Sequence, residues 1–411
     1  MMVKEMVKEI EVDEALKLLL DIPVKLETEP VPIGGAIDRV SAETVTAGIP
    51  FPPFDRSPFD GYALRGEDTA SASKEAPVTL SVRQEIPAGF TPKEAVWPGV
   101  AAKILTGAPI PAGADAVVKF EDTEFTEDSV KLFAPARPGS NIVRAGEDIP
   151  AGTVIVPQGA KIGPAVMGLL AAQGLKYVNV FKRPVVTVVN TGTELAELGR
   201  PLPPGMIYNS SMFTLQGFLT RLGADFRDGG IVADDVDDIA ARIRDELATS
   251  DMVITTGGAS VGDYDCAVAA AERAGADILF WKIRMRPGGS LLAYTLGGKL
   301  VLALSGNPGA AVLGLMLLGA PGIKKRCGLA DILTEECMVR LASEMKKSSP
   351  KKRIVRGFLK IEGGEAFFVE NAGQGGGDIS SLVDCDLLAE IPAGSPPLPA
   401  GALVKAYRVF T

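Results

Sequence analysis

Val185-Val186-Thr187-Val188-Val189-Asn190-Thr191-Gly192-Thr193-Glu194 is the stretch that decides the fold. A run of β-branched residues with no polar alternation reads as a strand buried on both faces. It ends in a small polar loop bearing glycine. The same arrangement recurs twice. Asp251-Met252-Val253-Ile254-Thr255-Thr256 runs into Gly257-Gly258-Ala259-Ser260-Val261-Gly262-Asp263, and Leu300-Val301-Leu302-Ala303-Leu304 into Ser305-Gly306-Asn307-Pro308-Gly309-Ala310. Helical patterns lie between. Ile239, Ile243 and Leu247 fall on one face of a helix whose start is acidic. Strand–helix alternation over 184–325 predicts a parallel α/β sheet with crossover helices.

Outward from that sheet the character changes on both sides. Residues 11–21 read as a short amphipathic helix ended by Pro23, and Pro164–Gln173 as another helix. From about 45 to 140, short β segments such as Val78-Thr79-Leu80-Ser81-Val82 and Ala116-Val117-Val118-Lys119-Phe120 are split by Pro and Gly, which predicts a small β-rich domain. Beyond about 330, segments at 337–341, 354–359, 367–369 and 403–409 suggest a β-barrel or sandwich. The cations Lys346, Lys347, Lys351, Lys352, Arg353 and Arg356 read as a solvated guard on an edge strand. The chain's 411 residues suit about three domains at roughly 150 residues each.

Composition removes whole classes of chemistry. There is no histidine, which excludes Ser-His-Asp and Cys-His hydrolases and His-ligated zinc or iron. Acid–base work falls to Asp, Glu, Lys, Tyr or Cys. The four cysteines form no C-x-x-C pair and no disulfide framework, so reduced thiols in a cytoplasmic protein are expected. A net charge of −9 argues against a nucleic-acid platform. No export signal is visible in the first residues. Leu300 to Ile323 carries no charge and is long enough to span a bilayer, but Ser305–Gly309 breaks it. A buried strand, a tight loop and a buried helix are expected there, and no membrane span.

In parallel sheets, ligands sit outside the carboxyl ends of the strands. Glycine lets backbone N–H groups approach an anion, and the following helix points its positive end there. Three such loops on one edge predict a phosphate or oxyanion pocket, although the common nucleotide fingerprints are absent. Glu194, Asp263 and Asp265 lie in or near these loops; Asp55, Asp60, Glu147 and Asp148 lie in turn-like segments. Carboxylates beside phosphates suit Mg²⁺, while each aspartate taken singly is also an ordinary turn or cap residue. Lys282, Arg284 and Arg286 alternate along an extended segment that enters Pro287-Gly288-Gly289. They suit an anion or, equally, a charged edge strand.

Five motifs then coincide with one family. Asp55-Arg56-Ser57-Pro58-Phe59-Asp60-Gly61-Tyr62-Ala63 resembles the D-x-S-x-x-D-G-Y-A signature of the molybdopterin molybdenumtransferases, the MoeA and gephyrin E-domain family. Leu105-Thr106-Gly107-Ala108-Pro109 through Asp115-Ala116-Val117-Val118, Asn141 through Ile149, Thr191-Gly192-Thr193-Glu194-Leu195 and Thr256 through Asp265 resemble its further motifs, in the same order. The resemblance implies an elongated, multidomain α/β plus β subunit. An extended N-terminal domain would take 1–44 and 140–180, a β-rich insert 45–139, a molybdopterin-binding α/β domain 181–327, and a C-terminal β-barrel 328–411. It implies a cytoplasmic homodimer whose site lies between the α/β domain of one subunit and the insert of the other.

The implied reaction inserts molybdenum from molybdate into adenylylated molybdopterin, with Mg²⁺-dependent release of AMP. A molybdopterin adenylyltransferase would be a possible delivery partner. The resemblance places catalysis on Asp60, Glu194, Asp265 and Lys282, and Mg²⁺ on Asp60, Asp148, Glu194 and Asp265. Pterin-nucleotide binding would fall to Thr106, Thr191, Gly192, Gly257, Gly258, Ser260, Gly262, Arg286, Gly306, Asn307 and Pro308. This chain departs from the family at several places. The usual K-P-G-K-P is Arg286-Pro287-Gly288-Gly289-Ser290, the usual P-G-N-P-V-S is Ser305-Gly306-Asn307-Pro308-Gly309-Ala310, and the usual T-G-D-E-L has Thr193 for its aspartate. Gly289 on this reading makes the pocket less cationic. A tungstate-using paralogue, a non-catalytic molybdopterin scaffold and a nucleotide-pyrophosphate hydrolase are the alternatives.

Overall fold

The structure, a computed structural model, describes residues 9–258 and 266–409. The α/β domain contains β1 (Val185–Thr191), α1 (Ser210–Arg221), β2 (Asp225–Val232), α2 (Val236–Thr249), β3 (Met252–Thr256), α3 (Cys266–Ala274), β4 (Asp277–Trp281), β5 (Leu292–Leu296) and β6 (Lys299–Leu304). The sheet order is β2-β1-β3-β6-β5-β4. Its two faces explain the unbroken apolar runs. Val186, Val188, Met252, Ile254, Leu300 and Leu302 pack on one side with Met212, Leu215 and Leu219 of α1. Val189, Val253, Val301 and Ala303 pack on the other with Ile239, Ile243 and Leu247 of α2. Each such fully buried Val or Leu side chain contributes about 1.5–3 kcal/mol.

The sheet is not wholly parallel, which corrects the sequence expectation. β2, β1, β3 and β6 run parallel, but β5 pairs antiparallel with both β6 and β4. The cause is local. Gly297 and Gly298 sit at φ 59° and 78°, the backbone of a tight hairpin turn, so β5 and β6 must be antiparallel neighbours. The charge-free window after β6 is a strand, a loop and a buried helix, as expected. Pro308–Gly314 continues through a π-helical stretch, Leu315–Gly319, into Ala320–Arg326. Among the described residues no helix is long and apolar enough to cross a membrane.

The N-terminal part pairs with a later part of the chain. Thr28–Pro32 lies antiparallel to Tyr177–Phe181, and Val45–Thr46 to Val154–Val156. Between these ladders the chain leaves to form a six-stranded sheet and returns. That sheet orders Ala116–Lys119, Gly61–Leu64, Val100–Ile104, Val78–Ile86, Ser129–Leu132 and Thr123–Phe125.

The C-terminal strands are β7 (Glu335–Leu341), β8 (Lys352–Glu362), β9 (Glu365–Glu370), β10 (Leu387–Ile391) and β11 (Leu403–Arg408). Their order β8-β9-β7-β11-β10 closes by pairing β10 with β8, a five-stranded barrel. This overturns the edge-guard reading of the basic run. β8 is paired on both sides, and Arg356 within it is fully buried.

Candidate active site

Two motif segments of the insert and a third at its return, 141–149, are drawn into one cluster. Ser57 N–H donates to Ala108 O at 3.0 Å, and Gly107 N–H to Ser57 O at 2.8 Å. Asp60 Oδ1 accepts from the amide of Thr106 at 2.7 Å and from its hydroxyl at 2.8 Å. Those two bonds, the amide first, hold the Asp60 carboxyl below its ordinary range. Asp60 is exposed, and its Oδ2 has no partner among the described residues. Asp55 instead clasps the third segment, accepting from Ala145 N at 2.8 Å and pairing with Arg144 at 2.5 Å. The Ala145 amide is the largest cause of its lowered pKa. Asp148 is exposed nearby, with only its backbone engaged.

The glycine loops of the α/β domain meet at the C-terminal ends of β1, β3 and β6. Gly257 has φ +95°, and a Cβ there would lie 2.1 Å from Thr191 O. A Cβ at Gly306 would lie 3.2 Å from the Gly257 Cα. Only glycine allows this close approach of backbones. Beneath, Asn190 Nδ2 donates to Thr256 Oγ1 at 2.5 Å, Asn209 Nδ2 to Asn190 Oδ1 at 3.1 Å, and Thr191 Oγ1 to Thr256 O at 3.2 Å. The Thr191 hydroxyl therefore builds the floor under the loops. Glu194 is exposed beyond Gly192. Ser260, Gly262, Asp263 and Asp265 lie outside the described residues.

Beside these loops a cleft of about 580 Å³ opens between the α/β domain and the barrel. Arg286, Gly288, Ser290, Ser305 and Asn307 line one wall; Lys347, Arg353, Gln374 and Gly376 line the other. It carries three cations and no carboxylate among its described lining residues. Arg286 and Lys347 are exposed with no side-chain partner among the described residues, whereas Arg353 donates to Lys347 O at 2.6 Å. Such a lining attracts a compact anion. Lys347 and Arg353 belong to the basic run read from sequence as a solvated guard. Their part in the cleft required the barrel to be folded against the sheet.

The cations Lys282, Arg284 and Arg286 do not share one strand. Lys282 has φ +70°, which turns the chain after β4, and its ammonium sits 4.0 Å from the Trp281 ring centroid. Arg284 pairs with Glu11 at 3.5 Å, and only Arg286 of the three lines the cleft. Gly289 also differs from its reading as a lost cation. A Cβ there would lie 2.6 Å from Met285 O and 2.7 Å from Ile283 O, so this backbone excludes any side chain. A second cavity, of about 610 Å³, lies at the opposite ends of β1 and β2. Its cations are largely neutralised within the fold, as in Arg39–Glu29, Lys161–Asp38 and Arg408–Glu335, so it is the weaker candidate.

The segments that build these features match three family descriptions. Residues 10–174 match the MoeA N-terminal region (domain I and II), 187–325 the probable molybdopterin binding domain, and 338–409 the MoeA C-terminal region (domain IV). The molybdopterin molybdenumtransferase of Bacillus subtilis is 36% identical over 405 residues, covering 97% of this chain and 94% of its own. The chain belongs to the molybdopterin molybdenumtransferase family. The Staphylococcus aureus (strain COL) member is 32% identical over 403 residues, covering 98% and 96% of the two chains. The crystal structure of a molybdopterin biosynthesis MoeA protein from Pyrococcus horikoshii superposes with a TM-score of 0.84 at 31% identity, covering 98% of this chain and 99% of that one. Membership makes this chain a transferase of molybdenum cofactor biosynthesis, and its multidomain α/β plus β architecture is that of the family.

Proposed function

We propose that this transferase takes molybdate and adenylylated molybdopterin and yields molybdenum-loaded pterin and AMP. The observation that carries the reading is the carboxylate-free cationic cleft lined in part by the glycine loop after β6, which in turn touches the loop after β3 at Gly257. The loops suit the pterin phosphates and nucleotide through backbone N–H groups. Arg286, Arg353 and Lys347 suit the oxyanion, which is a dianion and is attracted by each cation in a partly dehydrated cleft. The departure at Gly289 leaves this charge set intact, because Lys347 and Arg353 come from the barrel.

A carboxyl held below its ordinary range is a weak base, so Asp60 suits ordering a cation or a water through Oδ2. Among the described residues of one chain, no three acidic or thiol side chains gather as a metal site. On the family resemblance we assign Mg²⁺ to Glu194 and Asp265 together with Asp60 and Asp148 of a second copy. Bound there, it would neutralise phosphate charge as AMP leaves. The homodimer this requires is supported by apolar side chains left exposed between β1 and α1, Leu198, Leu202, Ile207 and Tyr208, and by exposed Phe213 in the first turn of α1. We keep the division at 1–44 with 140–180, 45–139, 181–327 and 328–411, and a cytoplasmic location, as parts of the same reading.

The test mixes the protein with adenylylated molybdopterin, Mg²⁺ and either molybdate or tungstate, and follows AMP and metal-loaded pterin together. Coupled, molybdate-dependent formation of both is expected. AMP release independent of any oxyanion would identify a hydrolase, pterin binding without turnover a scaffold, and a strict requirement for tungstate the paralogue. A monomer mass in light scattering at micromolar concentration would remove the shared site.

A further inference from the structure

Four cations stand on two neighbouring segments beside the cleft. Met285–Arg286 runs parallel to β8, with Met285 opposite Lys352 and Arg286 opposite Arg353. Arg286 and Arg353 line the cleft. Two residues back along each segment come Arg284 and Lys351, about 7 Å away, as alternate residues of extended chain are spaced.

This second pair of cations is met by two carboxylates: Glu9 touches both, and Glu11 pairs with Arg284 alone at 3.5 Å. Glu9 binds Lys351 Nζ through Oε1, and its Oε2 lies 3.8 Å from Arg284 Nε. The placement is built by the backbone. Ile10 N–H donates to Lys282 O at 3.2 Å, Arg284 N–H donates to Ile10 O at 2.9 Å, and Ile10 is buried in one core with Ile283 and Met285. Ile10 thus forms a single parallel bridge to Ile283, which fixes Glu9 between the two cations. Lys351 also holds the Glu9 carboxyl below its ordinary range, so it stays charged.

We infer that Glu9 is a positioning residue of the anion cleft: it holds Lys351 and Arg284 away from the bound oxyanion and limits the charge the cleft presents. The inference rests on the proposed use of the cleft for an oxyanion. Three cations already face that anion, from Arg286, Arg353 and Lys347. Without Glu9, Lys351 would be unneutralised and Arg284 would keep only Glu11, and the added charge would tighten binding and slow exchange. Glu9 keeps capture reversible.

The test titrates inorganic molybdate into the full-length protein by calorimetry at low ionic strength, for wild type, Glu9→Gln, Glu9→Asp and Arg286→Ala. One unit charge about 7 Å from a dianion changes its affinity by about sevenfold at the dielectric of bulk water, and by more in a partly dehydrated cleft. Glu9→Gln should bind molybdate tighter by that factor, with the gain fading at about 0.5 M salt, while Glu9→Asp behaves as wild type. In turnover, KM for molybdate should fall without a rise in kcat. Binding by Glu9→Gln that equals or falls below wild type, with an unchanged melting temperature, overturns the inference. Should Glu9→Gln unfold, Lys351→Met leaves Glu9 paired with Arg284 alone and should weaken molybdate binding severalfold; unchanged binding overturns the inference equally. Loss of binding in Arg286→Ala beside wild-type binding in Glu9→Gln sinks this inference alone. Molybdate binding absent from wild type, or indifferent to Arg286→Ala, sinks the cleft assignment as well.

Discussion

A Cβ placed on Gly309 would lie 2.1 Å from Nη1 of Arg356. Arg356 is fully buried and donates to Asp378 O at 3.1 Å, Gly373 O at 3.3 Å and Gly375 O at 2.7 Å. The loop it gathers returns a carbonyl, Gly376 O, to Ala310 N at 2.9 Å. Gly309, standing where the family usually has valine, is thus the space the guanidinium occupies. Through that space the barrel loop is fastened to the helix that begins at Pro308.

Gly309→Val should therefore expel the guanidinium and strip three loop carbonyls of their donor. The expected cost is about 1–3 kcal/mol, with a lower melting temperature. In a double-mutant cycle with Arg356→Ala the two losses should not add, because the valine then enters vacated space. Additive losses would show that the two residues act independently.

Gly257→Ala places its methyl 2.1 Å from Thr191 O at φ +95°, whereas Gly258→Ala, at φ +67°, meets nothing nearer than 3.4 Å. Both carry the strain of a left-handed residue, of order 1 kcal/mol. Only the first also forces two strand ends apart. Pterin-nucleotide binding should be lost in Gly257→Ala and merely weakened in Gly258→Ala, as read by calorimetry. Equal effects would mean that the approach to Thr191 is unimportant.

Gly289→Lys adds a cation but drives a Cβ to 2.6 Å from Met285 O. The steric effect should dominate, lowering the melting temperature and raising the molybdate concentration needed for half-maximal turnover. A lower molybdate requirement in a fully stable variant would show that the missing cation mattered more than the backbone.

Thr106→Val removes the hydroxyl bond to Asp60 and leaves the amide bond. Asp60 has a depressed pKa in the folded protein, so its charge persists as the pH falls towards the ordinary value of 3.8 and is lost only below it. Weakening the cause raises the folded pKa, so the acid limb of the activity profile should move to higher pH in Thr106→Val. NMR titration of the Asp60 carboxyl gives the same shift directly; an unmoved titration would show that the amide alone sets it.

The central strands were legible because burial on both faces leaves an uninterrupted β-branched run, as in Val185–Val189 and Leu300–Leu304. β2 escaped notice. Asp225-Phe226-Arg227-Asp228-Gly229-Gly230 lies at the sheet edge, where polar residues and glycine are tolerated. β10 was missed as well, because Leu387–Ile391 is a short apolar run whose partner in the barrel is distant in sequence. Asp60, Glu194, Gly257 and Gly306 could be picked out from residue type and order alone, since a loop's need for glycine or carboxylate is written locally, whereas Thr106 was marked only by its resemblance to a family motif.

What the chain by itself determined was therefore local: which stretches become strands, which turns require glycine, and which loops cluster at one end of a parallel sheet. Its lack of histidine also fixed which chemistry was out of reach. The cleft was decided only by tertiary structure. Arg286 and Arg353 become neighbours through a strand pairing between the α/β domain and the barrel, and Glu9 reaches Lys351 across almost the whole chain. A charge reads in sequence as a solvated side chain. Whether it faces water, a carboxylate or a ligand depends on contacts between residues that sequence separation hides, and those contacts exist only once the separate cores have packed together.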